Sequence, residues 1–336
     1  MIREIYAKLQ EWKKKTDRKP LILNGARQVG KTYILREFGK REYPKFAFFS
    51  LDRDQKTREV FDKGGSTGDI LMALSAISQV DITPGDTLLV FDEIQDCPKA
   101  LETLKYFCED APDVHIIVAG SLLGLSLHEG VSYPVGKVEE MRMYPMTFLE
   151  FLNAMGKTQL AKVLESGNWN VMDMVGAELT GLLRQYYYVG GMPAAVLAHV
   201  EQKGLKEVRA IQKQILRDYR RDFSKHAPAR EVPRINLVWD SIPAQLAREN
   251  KKFVYGAVKK SARAADFELA IQWLMDAGLV YKVQRVNAPR LPFKFYEDQN
   301  AFKLFMLDVG LMGAMVEEGV SKVQNYPLYK SNSQLE

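Results

Sequence analysis

The apolar positions along this chain fall into two rhythms. Ile2, Ile5, Leu9 and Trp12 recur at helical spacing, so the chain is predicted to open with an amphipathic helix. Short runs that are apolar almost throughout follow: "PLILNG" (20–25), "KFAFFSLD" (45–52), "DTLLVFDEI" (86–94) and "DVHIIVAGS" (113–121). Each is predicted as a buried strand. "KTYILREFGK" (31–40) and "PKALETLKYFCED" (98–110) read as helices between them. Strands apolar on both sides, alternating with helices, indicate a parallel sheet covered on both faces.

Past Pro145 the texture turns helical. "MTFLEFLNAM" (146–155), "TGLLRQYYYV" (180–189), "LKEVRAIQKQILRDYRRDFSKH" (205–226), "RINLVWDSIPAQLAREN" (234–250) and "AADFELAIQWLMDAG" (264–278) are predicted as helices. "VGGMPAAVLAHVE" (189–201) reads as a Gly-Pro break that enters another. "LVYKVQRV" (279–286) and "FKFYED" (293–298) read as a hairpin around the loop "NAPRLP". No internal repeat or low-complexity segment interrupts the pattern.

Composition narrows the classes. A length of 336 residues suggests about two domains. A hydrophobic share of 46% and a charged share of 26% are ordinary for globular protein, and a net charge of +5 permits an anionic partner without demanding one. Two cysteines, Cys97 and Cys108, are too few for a disulfide framework or a zinc ribbon. The histidines His115, His128, His199 and His226 form no ligand-spaced pair. The N-terminus lacks the apolar stretch of a signal peptide, and no apolar run approaches bilayer length, so a cytoplasmic setting without membrane contact is expected. The basic run Lys13, Lys14, Lys15, Arg18 and Lys19 reads as a solvated helix end, where cations suit the dipole.

The chemistry concentrates at strand ends. Gly25-Ala26-Arg27-Gln28-Val29-Gly30-Lys31-Thr32 fits the phosphate-loop pattern between a strand and a helix. The glycines let the chain wrap with its amides inward, and those amides with the helix N-terminus bind phosphates. Lys31 would reach the β- and γ-phosphates of ATP, and the Thr32 hydroxyl would coordinate Mg²⁺. "TLLVFDEIQD" ends in Asp92, placed to hold the Mg²⁺ shell, and Glu93, placed to polarise the attacking water or, alternatively, to cap the next helix. Ser121 ends the following strand and would reach the γ-phosphate or the water if that strand lies between the other two; a serine there is also a common turn residue. No arginine occurs between His115 and Met141, where a trans-acting finger would be sought. Arg142, Arg220 and Arg221 are the remaining candidates, and ion-pair or surface roles suit them better.

"LNGARQVGKT", "LVFDEIQ", "YPVGKVEEMRMYPMTFLEFL", "VGGMPAAV" and "WLMDAGLVYKVQRV…FKFYEDQNAFKLFMLDVGL" together resemble a prokaryotic family. It is the group of AAA-superfamily ATPases of the AAA-fourteen type that carry the domain of unknown function 4143. The match runs from about Ile5 to about Tyr329, and Gly190-Gly191-Met192-Pro193 and "AFKLFMLDVGL" are its most specific parts. The resemblance implies an ATPase core, a helical segment and a winged-helix-like region. It supports Gly30, Lys31 and Thr32 for nucleotide, and Asp92 and Glu93 for metal and water. Similar proteins usually continue into a region resembling restriction-nuclease folds. Here the familiar pattern ends at "PLYK" and the chain is expected to be shortened, without that nuclease core.

The 264–277 helix would enter DNA in a winged-helix module. Its apolar face is Phe267, Ile271, Leu274 and Met275, and its polar positions Asp266, Glu268 and Asp276 are acidic. Such a helix suits phosphates poorly. Positive charge lies beside it at Lys251, Lys252, Lys259, Lys260, Arg263, Arg285, Arg290 and Lys294. Backbone contact to DNA through Lys251, Lys252, Lys259, Lys260 and Arg290 and contact with a protein partner both stay open.

The expected fold is α/β: a P-loop NTPase parallel sheet domain over 1–150, an α-helical connector over 151–230, a winged-helix-like α+β domain over 231–318 and a short polar tail over 319–336. The expected function is Mg-ATP binding with slow hydrolysis, used as a conformational switch and open to coupling with nucleic acid. The alternatives are an ATP-gated protein-interaction module without DNA binding, and a truncated remnant of a longer ATPase.

Overall fold

A computed structural model describes residues 3–121, 133–248, 252–260 and 263–316. Ile2, Lys251 and the 319–336 tail lie outside the described residues. The chain divides into two compact units at Tyr144/Pro145.

The first unit opens with α1 (Glu4–Lys14), which buries Ile5, Leu9 and Trp12 as their spacing predicts. Five strands follow: β1 (Leu21–Gly25), β2 (Lys45–Ser50), β3 (Thr87–Asp92), β4 (His115–Ser121) and β5 (Glu139–Met143). They pair in the order β2-β3-β4-β1-β5, every neighbouring pair parallel. The central β1, β3 and β4 are buried at every position, which is why they read as unbroken apolar runs. β5 has no apolar run to betray it: "EEMRM" is an edge strand in which only Met143 is fully buried.

Helices cover both faces of this sheet. α3 (Gln55–Lys63), α4 (Thr67–Ser78) and α5 (Pro98–Asp110) bury Phe61, Ile70, Leu74, Leu101, Leu104 and Phe107 in one cluster with Phe49, Leu89 and Phe91 of the strands. Each such side chain contributes on the order of 2 kcal/mol of burial. Local capping sets where α3 and α4 begin. The Asp54 carboxylate accepts from Thr57 N at 3.1 Å, and Ser66 and Asp69 close a reciprocal capping box. On the other face α1 and α2 (Lys31–Glu42) enclose an aromatic group. The rings of Trp12 and His115 lie 6.0 Å apart, those of Phe38 and Tyr43 5.8 Å. The Tyr43 hydroxyl sits 2.6 Å from His115 Nδ1, and burial pushes the imidazole pKa down to about 4.

The second unit is helical and then α+β. Its helices are α6 (Phe148–Ala154), α7 (Thr158–Glu165), α8 (Trp169–Met174), α9 (Gly176–Val189), α10 (Pro193–Val200), α11 (Leu205–His226), α12 (Val232–Leu246), α13 (Tyr255–Val258) and α14 (Glu268–Asp276). An antiparallel pair, β6 (Val280–Val286) and β7 (Glu297–Met306), and α15 (Val309–Met315) complete the described chain. Two predicted elements differ. The 264–277 helix begins four residues later, after a tight turn over Ala264–Asp266, and it buries Ala270 and Trp273 with Ile271 and Leu274. The hairpin's return strand keeps only Glu297 and Asp298 of "FKFYED". Phe293–Tyr296 form a 3₁₀ turn, and β6 pairs with the later residues Glu297–Met306 across an irregularity at Gln284/Arg285. Alternating aromatic and charged residues mimicked a strand where the chain was still turning.

A buried polar cluster joins the ends of this unit. Asp308 Oδ2 accepts from Gly191 N at 2.5 Å, and its Oδ1 from Leu311 N at 2.9 Å. Gln212 Nε2 donates to the carbonyls of Tyr188 and Val189, both at 2.8 Å, and Arg209 Nη1 to Gln212 Oε1 at 2.9 Å and Gly310 O at 3.2 Å. Burial pushes the Asp308 carboxyl up to about 6 against the pull of the Gly191, Leu311 and Gly310 amides. Gly191 N and Met146 O leave no room for a side chain between them, because a Cβ on Gly191 would lie 2.1 Å from Met146 O.

Gly191→Ala is therefore expected to cost more than about 3 kcal/mol, since both the backbone contact and the Asp308 bond must shift; urea unfolding measures it. His115 carries a pH signature. The unfolded ring titrates near 6.5 and the folded ring at about 4, so the unfolded state binds more protons between these values. Stability present above pH 6.5 is expected to fall as the pH drops towards 4, by about 2 kcal/mol after allowance for solvent screening. Asp308 acts in the opposite sense below about pH 6. The His115 share is read as the difference between wild type and His115→Gln in urea at pH 7 and pH 4.5.

Candidate functional site

The C-terminal ends of the strands form one edge of the sheet. Register places Gly25 beside Ser121 on one side and Met143 on the other, and Ser50 beside Asp92. β4 lies between β3 and β1, the order that brings Ser121 to the edge between Asp92 and the loop after β1.

That loop runs from Gly25 to α2. Its shape needs left-handed backbone at Gln28 (φ 66°) and at Gly30 (φ 98°), the residue before the first helical turn. A Cβ on Gly25 would lie 2.4 Å from Met143 O, so only glycine fits where β1 leaves the sheet. Ala26 and Val29 are buried, Arg27 is half-buried and Gln28 is exposed. Lys31 is buried at 8% exposure, and its Nζ donates to Gly25 O at 3.0 Å and Ala26 O at 2.9 Å. Burial lowers its pKa to about 8, opposed by the nearby Glu93 and Asp92 carboxylates. A buried cation folded onto its own loop, at a helix N-terminus, is an anion site by its electrostatics.

Thr32 Oγ1 donates to Asp92 Oδ2 at 2.7 Å, and Asp92 Oδ1 accepts from Glu93 N at 3.2 Å. Burial holds the Asp92 carboxyl above the usual carboxylate range. A hydroxyl and a carboxylate this close form an all-oxygen donor set, which suits a hard divalent cation such as Mg²⁺. Glu93 has left-handed backbone (φ 54°), a conformation costly for a non-glycine residue. Its side chain does not cap the turn at Ile94–Asp96; it accepts a short hydrogen bond from Gln95 Nε2. Sequence reasoning missed Gln95, because its reach back to Glu93 exists only once the 3₁₀ turn is known. Ser121 is buried at the end of β4.

The other candidates are dispersed. Arg142 stands on β5 with its guanidinium 5.4 Å from the Tyr144 ring. Arg220 donates to Asn236 Oδ1 at 3.2 Å and pairs with Asp240, and Arg221 pairs with Asp218 at 3.3 Å. In the second unit Lys252, Lys259, Lys260 and Arg290 are exposed. Arg285 is engaged by Asp298 at 2.5 Å.

Residues 17–152 match the AAA domain family of the AAA-fourteen type. The chain carries an AAA domain. Residues 180–322 match domain of unknown function 8612, which corrects the expected domain 4143. Among solved structures, the Walker-type ATPase paby2304 of Pyrococcus abyssi is similar over 93% of this chain and 95% of that chain, at 15% identity and a TM-score of 0.57. At that identity the likeness speaks for the fold, a P-loop NTPase parallel sheet followed by a helical and α+β part. Looser matches include the Aeropyrum pernix Orc1 protein in complex with DNA (15% identity, 95% and 93% of the two chains, TM-score 0.33) and Thermotoga maritima RuvB T158V (13% identity, 90% and 90%, TM-score 0.38). No curated protein matches significantly. Among the described residues of this AAA-domain protein, no helix is long and apolar enough to cross a membrane.

Thr32→Val leaves the buried Asp92 Oδ2 without its donor. A loss of about 1–2 kcal/mol at pH 7, shrinking as Asp92 protonates in acid, is the expected result in urea unfolding.

Proposed function

We propose that this protein binds Mg-ATP in the Gly25–Thr32 loop and hydrolyses it slowly, using the bound and spent states as a conformational switch. The observation that carries this reading is the buried Lys31 ammonium beside the Thr32–Asp92 pair, a cation and an oxygen donor set at one helix N-terminus. Bound Mg-ATP would supply the phosphoanhydride to be cleaved and the divalent charge that screens it. The residues supply the rest. The backbone amides of Gly25, Ala26, Arg27, Gln28, Val29 and Gly30 wrap the phosphates, and Lys31 turns from Gly25 O and Ala26 O to the β- and γ-phosphates. Thr32 and Asp92 hold the metal, Glu93 accepts the proton of the attacking water, and Ser121 orients that water from β4.

The division of labour proposed is an ATPase domain over 1–150, a helical connector over 151–230 and a winged-helix-like domain over 231–318 of a cytoplasmic protein. The output is an interaction made by the second unit. A protein partner is the better fit there, because α14 turns Glu268, Gln272 and Asp276 to solvent and offers no cation to a phosphate. DNA contact would fall to the exposed Lys252, Lys259, Lys260 and Arg290, and would be independent of sequence. Stimulation of ATP turnover by duplex DNA separates the two.

Lys31→Ala is expected to abolish measurable ATP affinity in calorimetric titration while the protein remains folded. Unchanged affinity would remove the nucleotide assignment. Glu93→Gln should keep ATP affinity within about threefold of wild type and slow phosphate release by roughly a hundredfold or more. Turnover within about threefold of wild type would show that Glu93 is not the base.

A further inference from the structure

Arg3 stands just before α1, outside the loop and strand ends described above, yet it is only 6% exposed. Its guanidinium reaches two main-chain carbonyls far apart in sequence. Nη1 donates to Val29 O at 3.0 Å, and Nη2 to Tyr144 O at 2.6 Å. Burying a guanidinium is costly unless its hydrogen bonds are well made, so both carbonyls are held firmly.

Val29 precedes Gly30 in the phosphate loop. In a planar trans peptide the C=O and the following N–H point in opposite directions. A Val29 carbonyl fixed on Arg3 therefore aims the Gly30 N–H away from Arg3. The second carbonyl belongs to Tyr144, which directly follows β5. Its neighbour Met143 presents the carbonyl that leaves no room for a side chain on Gly25. Both the start of the loop, at Gly25, and its Val29–Gly30 peptide thus bear on Met143–Tyr144, the last residues of this unit before Pro145.

We propose that Arg3 is a positioning residue for the phosphate loop. It turns the Val29 carbonyl outward so that the Gly30 amide is presented to a nucleotide phosphate. Through Tyr144 it ties the setting of the loop to the chain that leaves the ATPase unit. This rests on the reading of the loop as a nucleotide site. Arg3 itself touches no substrate. The role needs a planar fork with two diverging donors, which a lysine ammonium does not reproduce.

The test compares the full chain as wild type, Arg3→Lys and Arg3→Ala, by calorimetric titration with Mg-ATP, steady-state phosphate release and thermal melting. Arg3→Lys is expected to melt within a few degrees of wild type, to bind ATP about tenfold more weakly and to raise KM by a similar factor, with kcat within about threefold. Arg3→Ala should bind more weakly still, and guanidinium at low millimolar concentration should restore its affinity without changing wild type. A folded Arg3→Lys with wild-type affinity and KM overturns the proposal, and it decides alone if Arg3→Ala does not fold. Weakened Arg3→Ala that guanidinium leaves unchanged also counts against it. Wild type that binds no ATP overturns the nucleotide reading itself, and wild type that binds beside an equally tight Arg3→Lys overturns only the role of Arg3.

Discussion

Two opposite charges, Lys31 and Asp92, are buried at one edge of a five-stranded sheet, and neither can stay there without partners. Lys31 borrows the carbonyls of Gly25 and Ala26, and Asp92 takes the Thr32 hydroxyl and the Glu93 amide. Each partner sits where it does because of a larger feature. The two carbonyls face inward because the loop turns through left-handed backbone at Gln28 and Gly30. Thr32 meets Asp92 because α2 starts at the end of β1 while β3 ends on the same side of a parallel sheet. A parallel sheet puts every strand's C-terminus at one edge, so residues 60 apart in sequence become hydrogen-bonded neighbours.

The second unit solves the same problem differently. Asp308 is also buried, and backbone amides of Gly191 and Leu311 serve it in place of a cation. Around it Gln212 and Arg209 satisfy the carbonyls of Tyr188, Val189 and Gly310. The cluster binds α9, α11 and the start of α15 into one frame. The closeness of Gly191 to Met146, whose amide donates to Gly191 O at 2.7 Å, adds the stretch before α6. Arg209 leaves Nε and Nη2 without a hydrogen-bond partner among the described residues, but the directed bonds the cluster does make favour one arrangement of helices that apolar packing alone leaves less defined.

The central strands β1, β3 and β4 were legible in the sequence because burial on both faces leaves few polar positions to blur them, and the edge strand β2 because its residues are mostly apolar or aromatic. β1 to β4 appear there as apolar runs, and the phosphate-loop pattern between β1 and α2 marks the site. β5 was not legible: an edge strand can be polar on most of its length, and "EEMRM" carries no periodic signal. The hairpin's second strand was misplaced because local alternation in "FKFYED" was as good as that of the true strand. Only the pairing of Gln284 with Phe302, across the irregularity that follows, decides between them. The two glycine motifs, Gly190-Gly191-Met192-Pro193 and the stretch ending in Leu307-Asp308-Val309-Gly310, could be seen as distinctive but not as one contact.

By itself the sequence determined the α/β character of the first unit and the helical character of the second, and it put Lys31, Thr32, Asp92 and Glu93 forward as candidates at the strand ends. Local pattern suffices there, because each signal is carried by adjacent residues or by the periodicity of a single element. The tertiary structure alone decided the strand order that sets β4 between β3 and β1, the turn that returns Gln95 to Glu93, and the meeting of Arg3 with Val29 and Tyr144. The reason is range: a guanidinium bonded to main-chain carbonyls 26 and 141 residues away reads no side-chain identity at the other end, so nothing in those residues' letters announces it.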